Sequence, residues 1–285
     1  MACNNPEHYK NVSVSHSLSV SIQPLKYFVS AIAGNDFTVK VLVPPGQSAE
    51  NFEPTPGQIQ QLSDASVHFS ISHFDFEKAL NESAKALNPD IKIIDLSKGL
   101  CLLQLHEHTH QGHSHSSNAD PHIWLSIKNA KIFSKQIYQA LCNTFPKKKN
   151  IFTSNFNLLI SKLDNMDKNA EMQFAGFTHR NFIIYHPALG YFARDYNLIQ
   201  NAIEADGKEP APSNLKRLVD LALKDSIHTI FIQKEFDDKY ARSIASEING
   251  KIIYVDALSP NWVEMMNKLI MEMKTAFVEK VARNK

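Results

Sequence analysis

The 285-residue sequence predicts an α/β protein with two similar lobes, each a mainly parallel sheet flanked by helices, joined by one long rigid helix. Strand-like segments alternate with helical segments, which is the pattern of a parallel sheet. An uninterrupted helical pattern from Lys147 to about Phe174 contains no glycine or proline and divides the chain into halves. Both halves begin in the same way, with a strand, a proline and then a Tyr-Phe pair.

The first half alternates strands and helices from its start. Leu18–Ile22 alternates apolar and polar residues and therefore predicts a strand. Pro24 begins the next helix and Gly34 ends it, which is the usual placement of these two residues. The elements predicted after it are a strand at Phe37–Val43, a turn at 44–48, a short helix from Pro56, a strand at Val67–Ile71, a helix at Phe76–Leu87 and a strand at Ile91–Leu96.

Two long helices are predicted in the middle of the chain. The first runs from about Ile127 to Phe145, and Pro146 breaks it. The second is the pattern that ends near Phe174, in which apolar residues recur every three or four positions. At 1.5 Å per residue this helix is about 40 Å long, which is enough to link two lobes.

The second half repeats the order of the first. Asn181–Tyr185 predicts its first strand, and His186–Phe192 then matches Gln23–Phe28 in its proline and its Tyr-Phe pair. The later predicted elements are a helix at Ser213–Leu223, a strand at Thr229–Gln233, a helix at Asp237–Ile248, a strand at Lys251–Val255 and a helix at Pro260–Arg283.

The composition is that of a globular protein, with 43% hydrophobic and 21% charged residues. A net charge of +1 and the lack of a basic stripe with aromatic residues argue against binding to nucleic acid. Three cysteines do not make a disulfide framework. Cys101 and Cys142 could pair if Cys3 carries a lipid, but we expect them to be unpaired thiols. No apolar run approaches the roughly 18 residues of a transmembrane helix.

The first residues indicate a processed lipoprotein. The sequence as given has no signal peptide, and Met1-Ala2 stands before Cys3 as an added start would stand before an acylated cysteine. The polar residues that follow would then be a tether to the membrane. A chance cysteine near an ordinary terminus is the alternative interpretation.

Histidines are concentrated in one part of the chain, with six of the 13 between Leu105 and Leu125. Imidazole is the commonest metal ligand in proteins, and a polar tract this rich in histidine cannot form core. The tract therefore either binds metal or is a charged loop that responds to pH. The histidines are His106, His108, His110, His113, His115 and, within the run Asp-Pro-His-Ile-Trp-Leu, His122.

Four side chains that can bind metal follow predicted strands or end the His-rich connection, namely Glu50, His122, His186 and Asp256. Ligands of open α/β sheets bind beyond the carboxyl ends of the strands. Each residue also has an ordinary interpretation. Glu50 could be a solvated carboxylate with Glu53 as its competitor, His122 and Asp256 could cap helices, and His186 could be a buried structural histidine. Together, two imidazoles and two carboxylates predict one nitrogen and oxygen site.

Three further polar residues could lie near the site that these four positions predict. Asp120 precedes His122 by two residues and could orient its ring, since metal-binding imidazoles usually donate their other N–H to an acceptor. His73 and Glu235 also follow strands, and we interpret both as structural or as lining a cleft.

These residues and motifs give the chain a family resemblance over essentially its whole length. It resembles the metal-binding solute-binding proteins of bacterial ABC importers for zinc and manganese, which include lipoproteins. The segments that carry the resemblance are Ser21–Leu25, Ile32–Gly34, Pro44–Gly46, Phe52–Pro56, Asp120–Leu125, His186–Phe192 and Val255–Leu258.

The resemblance implies two lobes bridged by a rigid helix, with one metal ion in the cleft. Its four ligands map to Glu50, His122, His186 and Asp256. Glu50 departs from the family, because the first ligand is usually a histidine. Zinc members usually offer three histidines, and manganese members offer two with a glutamate in the third position. We favour Zn²⁺, with Mn²⁺ as the alternative, since imidazole suits zinc and carboxylate suits manganese. If Glu50 does not reach the ion, three protein ligands and a water would hold it.

The function implied is capture of a divalent metal and its delivery to the membrane subunit of an ABC permease, not catalysis. The resemblance further implies a monomer in the periplasm or cell envelope, anchored through a lipid on Cys3. The predicted domains are a tether at 1–17, an N-terminal metal-binding lobe at 18–146 with a His-rich loop at 105–119, a linking helix at 147–176 and a C-terminal metal-binding lobe at 177–285.

The five histidines of this loop, His106, His108, His110, His113 and His115, are predicted to be accessory metal sites that raise the metal concentration near the cleft. The alternative is a tract with no essential role. Two other functions stay open. A storage protein or adhesin would use the loop itself, and a zinc hydrolase would need an open metal position, although the chain has neither a His-Glu-x-x-His run nor a nucleophile elbow.

Overall fold

The computed structural model describes residues 16–104, 119–204 and 209–283. These residues form two four-stranded parallel sheets flanked by helices, with one long helix between them. This confirms the predicted fold class. Residues 1–15 of the predicted tether, with Cys3, and the five loop histidines from His106 to His115 lie outside the described residues, whereas residues 16 and 17 belong to the first strand.

The N-terminal lobe has strands in the order β2-β1-β3-β4, all parallel. The buried residues Leu18, Val20, Val67 and Phe69 give this sheet its apolar core. The elements of the lobe are β1 (His16–Val20), α1 (Gln23–Ala33), β2 (Phe37–Val41), α2 (Pro56–Ser63), β3 (Val67–Ser70), α3 (Asp75–Leu87) and β4 (Lys92–Asp95).

From Ile123 onward, the connection to the second lobe is mainly helical. A 3-10 turn at Ile123–Leu125 leads into α4 (Ile127–Thr144), and a second 3-10 turn separates α4 from α5 (Lys149–Phe174). The 26 residues of α5 span about 39 Å. Phe152, Leu159 and Leu163 are buried on one face of this helix, as the periodicity predicts.

The C-terminal lobe repeats the arrangement of the first, with strands in the order β6-β5-β7-β8. The strand β6 is the one element of this sheet that the sequence does not predict. It is half-exposed and carries the polar Gln200 and Asn201, so it lacks the apolar pattern of an inner strand. The elements are β5 (Asn181–Ile184), α6 (Gly190–Asp195), β6 (Ile199–Ala202), α7 (Pro212–Asp225), β7 (Thr229–Gln233), α8 (Lys239–Glu247), β8 (Lys251–Val255) and α9 (Trp262–Arg283).

One apolar core extends through both lobes and contains both tryptophans of the chain, and a second apolar cluster lies within the C-terminal lobe against α7 and α8. The indole N–H of Trp262 donates to the backbone oxygen of Trp124 at 2.7 Å, and that of Trp124 donates to the backbone oxygen of Ala257 at 2.8 Å. The Trp262 ring also packs on Phe28 of α1 at 4.8 Å between centroids. Because close-packed interiors resist deformation, these contacts favour small relative movements of the lobes.

The loop between β2 and α2 is held at both ends. Gly46 has φ of +80°, a conformation that glycine adopts without the cost of a Cβ atom. At the far end Thr55 and Gln58 form a capping box, in which the Gln58 side chain accepts from the Thr55 N–H at 2.8 Å. The Gln58 amide also donates to the Leu42 oxygen at 2.9 Å, which ties the helix back to the end of β2.

Two expectations from the sequence concern membrane-spanning helices and unpaired cysteines. Within the described ranges, no helix combines the length and the apolar character that crossing a bilayer requires. Cys101 and Cys142 are free thiols, as expected.

Candidate metal centre

Three of the predicted ligands converge between the lobes. The Glu50 Oε1 atom lies 3.0 Å from His186 Nε2 and 3.6 Å from His122 Nε2, and the two Nε2 atoms are 3.3 Å apart. A tetrahedral ion with bonds of 2.0–2.1 Å keeps its ligand atoms about 3.3–3.4 Å apart. The three atoms therefore have the spacing of three corners of one zinc-sized coordination sphere.

The three side chains come from three different connections at the carboxyl ends of the strands. Glu50 lies in the loop after β2, His122 immediately before the 3-10 turn that leads into α4, and His186 just after β5. They line a cavity of about 20 Å³, which is room for roughly one ion or one water molecule. Both imidazoles are buried, and the Glu50 side chain is 32% exposed.

A buried carboxylate orients each imidazole. Asp120 Oδ1 lies 2.8 Å from His122 Nδ1 and also accepts the His122 backbone N–H at 2.9 Å. Glu204 Oε2 lies 2.8 Å from His186 Nδ1. A carboxylate can only accept, so each Nδ1 carries the proton and donates it. Each Nε2 is then the nitrogen that faces the cavity, where an ion that displaces a proton from it would bind.

His186 has two further contacts that fix its position. The Gln233 side chain, buried at the end of β7, accepts the His186 N–H at 3.3 Å and donates to the His186 oxygen at 2.8 Å. The Phe236 ring stacks on the imidazole with centroids 5.0 Å apart and planes 13° from parallel. The end of β7 and the segment after it thus contact both the backbone and the ring of His186.

The charges of the site favour a cation. Burial alone lowers the pKa of His186, but hydrogen bonds to Glu204 and Glu50 outweigh burial and raise it to about 9. Burial raises the pKa of Glu50, and the His186 and His122 rings reverse that effect, so the net pKa is lowered. The carboxylates thus stabilise a positive charge at the position where an ion would replace the imidazole proton.

The fourth predicted ligand is not brought to these three. Asp256 follows β8, and its Oδ2 atom binds Lys234 Nζ at 2.9 Å with the Asp256 side chain 40% exposed. Its neighbours Ala257 and Leu258 line the cavity of Glu50, His122 and His186, whereas Asp256 lines a separate groove with residues of α9.

A second carboxylate of this lobe faces the cavity instead. Glu235 lines it together with Glu50, His122 and His186 and is exposed on its other side, so it lies at the mouth. Partial burial there raises the pKa of Glu235, and the Asp256 charge raises it further. This position agrees with the sequence interpretation of Glu235 as lining the cleft.

The sequence did not single out two residues of the site, Glu204 and Gln233. Glu204 comes two residues after β6, so recognising that strand would have marked it as a carboxylate at a strand end. Gln233 ends β7, a strand that the sequence does predict. The sequence offers no reason to select it, because neutral amides are not preferred metal ligands and Gln233 acts by holding the His186 backbone.

The two similar lobes and the buried imidazoles and carboxylates between them match the class that the sequence resembles, the metal-binding solute-binding proteins of bacterial ABC importers. A family model described as zinc-uptake complex component A, periplasmic (ZnuA) matches residues 19–276. The chain therefore belongs to the ZnuA family. Members of this family are periplasmic metal-binding components of transport, so the chain is not an enzyme and the hydrolase alternative is wrong.

Individual proteins resemble the chain over most of its length. A ZnuA deletion mutant with bound zinc, known from a crystal structure, is 31% identical and covers 92% of this chain and 98% of its own, with a TM-score of 0.83. A protein of Treponema pallidum is 29% identical over 251 residues, which are 85% of this chain and 79% of the relative. The zinc-binding protein AdcA of Streptococcus pyogenes is 27% identical over 254 residues, 82% of this chain but only 49% of AdcA.

Proposed function

We propose that this protein captures Zn²⁺ between its lobes and delivers it to the membrane subunit of an ABC permease. Glu50, His122 and His186 bind the ion, one oxygen and two nitrogens spaced 3.0–3.6 Å apart. That spacing is the single observation that carries the proposal, because it suits tetrahedral zinc. The zinc-bound ZnuA structure and the zinc-binding AdcA relative support the choice of metal.

Asp256 stays the predicted fourth ligand from the family resemblance. Its carboxylate would first have to leave Lys234, to which it is bound at 2.9 Å. Exposed ion pairs contribute about 0–1 kcal/mol, so a metal ion could outcompete this one.

Manganese is the second candidate, and Glu50 is the observation that favours it. A carboxylate stands where zinc-binding members usually have a histidine, and carboxylate oxygens suit harder ions. Octahedral coordination of Mn²⁺ would need further oxygen donors, which carboxylates and water could supply at the open side of the cavity.

We propose that the His-rich segment at 105–119 collects metal for this site. Its two ends are joined, since Gln104 and Ala119 form an antiparallel bridge and the Asp120 N–H donates to Leu103 at 2.8 Å. The segment therefore starts and finishes beside Asp120, the carboxylate that orients His122. Linked weak sites at such a position would raise the local metal concentration.

A storage protein or adhesin would depend on the His-rich segment instead, and its removal separates these functions. Deleting 105–118 should leave one tight metal site and slow the uptake of metal at low concentration. Loss of most bound metal, measured by element analysis, would favour storage.

We further propose a monomer that is held at the membrane by a lipid on Cys3, with a tether at 1–17, lobes at 18–146 and 177–285, and a linking helix at 147–176. Mass analysis of the protein made in a bacterium with its full leader would detect the lipid. Replacing Cys3 by serine should release the protein from the membrane fraction.

The metal itself is tested by competition. Metal-free protein is titrated with Zn²⁺ and with Mn²⁺ against chelators of known affinity, and bound metal is counted per chain. We expect one tight Zn²⁺ site that Glu50→Ala and His186→Ala remove. Glu53→Ala, an exposed carboxylate of the same loop, is the control and should bind as the wild type. A higher affinity for Mn²⁺ than for Zn²⁺ would contradict the choice of zinc.

A further inference from the structure

Residues 101–104 and 119–120, which flank the His-rich segment, form a short stem. Gln104 and Ala119 make an antiparallel bridge, and the Asp120 N–H donates to the Leu103 oxygen at 2.8 Å. By its position in the chain the stem belongs to the N-terminal lobe, because β4 precedes it and the 3-10 turn before α4 follows it.

A buried side chain of the other lobe holds both arms of this stem. The Tyr191 hydroxyl, on α6, donates to the Asp120 oxygen at 2.7 Å and accepts the Leu103 N–H at 3.3 Å. A phenol is both a donor and an acceptor, so it can bridge a carbonyl and an N–H that come from different arms. Phenylalanine would fill the same space but would leave both backbone groups without this partner.

A second residue of α6 binds the first arm of the stem. Arg194 donates from Nη1 to the Cys101 oxygen at 2.7 Å, and its guanidinium carbon lies 5.1 Å from the centroid of the Tyr191 ring. Asp195 and Asn129 accept from the other nitrogens of Arg194, which fixes the guanidinium in place. Two side chains of one helix therefore bind three backbone groups of the stem.

The helix α6 belongs to the C-terminal lobe and begins close to a proposed metal ligand. Its first residue, Gly190, comes four residues after His186. A Cβ atom at Gly190 would lie 3.0 Å from Asp120 Oδ2, so the helix packs directly on the stem. The stem is thus fixed to both lobes, through the chain to the N-terminal lobe and through α6 to the C-terminal lobe. A stem joined only to the N-terminal lobe would have no fixed position relative to His186.

Asp120 connects this stem to the cavity. Its backbone oxygen binds Tyr191, while its carboxylate lies 2.8 Å from His122 Nδ1. We propose that Tyr191 is a positioning residue, which holds the ends of the His-rich segment against the C-terminal lobe so that metal bound by the segment is released beside the cavity. The inference rests on the proposed collection of metal by that segment. The effective concentration of a linked site depends on the geometry of its link, so a loosened stem should slow the transfer of metal.

The proposal is tested with Tyr191→Phe, made both in the full chain and in a chain that lacks 105–118. Metal-free protein is mixed with an equal concentration of Zn²⁺ in a stopped-flow instrument. Tryptophan emission follows loading of the cavity, because the Trp124 ring lies 5.2 Å from the His122 ring. Tyr138→Phe is the matched control, since it removes a phenol hydroxyl that lies 2.9 Å from Thr153 Oγ1, between α4 and α5.

In the full chain we expect Tyr191→Phe to slow loading by at least about threefold. In the chain without 105–118 the same substitution should change the rate less than about 1.5-fold, because there is no segment to position. Equal slowing in both chains would show that Tyr191 acts on the cavity itself and would overturn the proposal. The equilibrium affinity for Zn²⁺ should stay within about threefold of the wild type, since both bonds of the Asp120 carboxylate remain.

Hydrogen exchange measures the stem directly. The Leu103 N–H donates to the Tyr191 hydroxyl, so its exchange should become at least about fivefold faster in Tyr191→Phe and stay unchanged in Tyr138→Phe. Unchanged exchange of the peptide that covers 101–104 would overturn the anchoring of the stem by Tyr191.

Arg194→Gln is a second variant, which keeps the proposal testable if Tyr191→Phe does not fold. It removes the bond to the Cys101 oxygen and leaves the phenol in place. We expect it to slow loading in the full chain and not in the chain without 105–118. Equal loading rates of Arg194→Gln and the wild type in the full chain would contradict anchoring by α6.

Failure of the underlying function would look different. If the segment does not collect metal, then deleting 105–118 leaves the loading rate of the wild type unchanged, which overturns the collecting role together with the inference that rests on it. If the segment collects metal but Tyr191 does not position it, then the deletion slows loading while Tyr191→Phe in the full chain loads as fast as Tyr138→Phe.

Discussion

His122 and His186 present the same nitrogen to the cavity, but they are held there by different parts of the chain. The carboxylate that orients His122 is Asp120, two residues away, whereas the one that orients His186 is Glu204, 18 residues away beyond the neighbouring strand. The first arrangement is local and belongs to one sequence motif. The second exists only when β5 and β6 pair. The comparison shows that the same hydrogen bond from Nδ1 to a carboxylate can be produced by a short sequence motif or by the pairing of two strands.

The largest effect should come from removing either imidazole. His122→Ala and His186→Ala each delete one ligand, and we expect each to weaken Zn²⁺ binding by more than about 100-fold, beyond what loss of an orienting partner costs. Competition with a chelator measures the affinity, and His179→Ala, which changes an exposed histidine, is the control. If only one of the two variants lost binding, the two histidines would not share one ion.

The next prediction separates the local arrangement from the distant one. Asp120→Ala removes a bond to the His122 ring and a bond to its backbone N–H, whereas Glu204→Ala frees the His186 ring while Gln233 and Phe236 still hold it. We therefore expect both variants to weaken Zn²⁺ binding by about 10–100-fold, with Asp120→Ala the weaker binder.

Tryptophan fluorescence gives a second measurement of this difference, because the Trp124 ring lies 5.2 Å from the His122 ring. The change in emission on metal binding should be altered by Asp120→Ala and kept in Glu204→Ala. An equal loss of the emission change in both variants would contradict the independence of the two arrangements.

The same contrast explains how much of the molecule the sequence could predict. The sheets and α5 follow from apolar periodicity, which needs no knowledge of distant contacts. The strand β6 was missed because a polar edge strand lacks that signal, and Glu204 was missed with it. The motif around His122 carries its own partner and could be recognised in sequence. The ion pair between Asp256 and Lys234 could not be predicted, because it depends on whether the Asp256 side chain points toward the cavity or toward α9.

A third buried histidine sharpens the comparison, because no carboxylate among the described residues forms a hydrogen bond with its ring. His68 lies in β3, and its Nδ1 atom is 3.2 Å from the Ser19 hydroxyl. Burial lowers the pKa of His68 to about 3, opposite to the direction for His186. The folded protein thus binds a proton here less readily than the unfolded chain, whose histidine pKa is about 6.5. The neutral His68 ring therefore makes its full contribution to the free energy of unfolding above pH 6.5, and this contribution is lost as the pH falls toward 3.

The free energy of unfolding, measured at two pH values, tests whether the pKa of His68 is lowered in the folded protein. Between pH 7 and pH 5 the wild type should lose about 2 kcal/mol more free energy of unfolding than His68→Gln, which has no titrating ring. Denaturant unfolding of the metal-free proteins at the two pH values measures the difference. Parallel pH dependence in the two proteins would mean that His68 takes up a proton in the folded state.

The smallest expected effect tests how tightly the local partner of His122 is packed. A Cβ atom added at Gly190 would lie 3.0 Å from Asp120 Oδ2 and 3.1 Å from Leu103 Cδ1, closer than ordinary van der Waals contact. Gly190→Ala should therefore push Asp120 and lower the Zn²⁺ affinity by less than about tenfold, since only the orienting residue moves. In Gly57→Ala the new Cβ atom meets nothing within 4 Å, which makes it the matched control.

If Gly190→Ala bound zinc as tightly as Gly57→Ala, the carboxylate of Asp120 would have room to shift without disturbing the His122 ring. The local arrangement would then tolerate more movement than the distant one, in which a buried glutamine and an aromatic ring also hold the histidine.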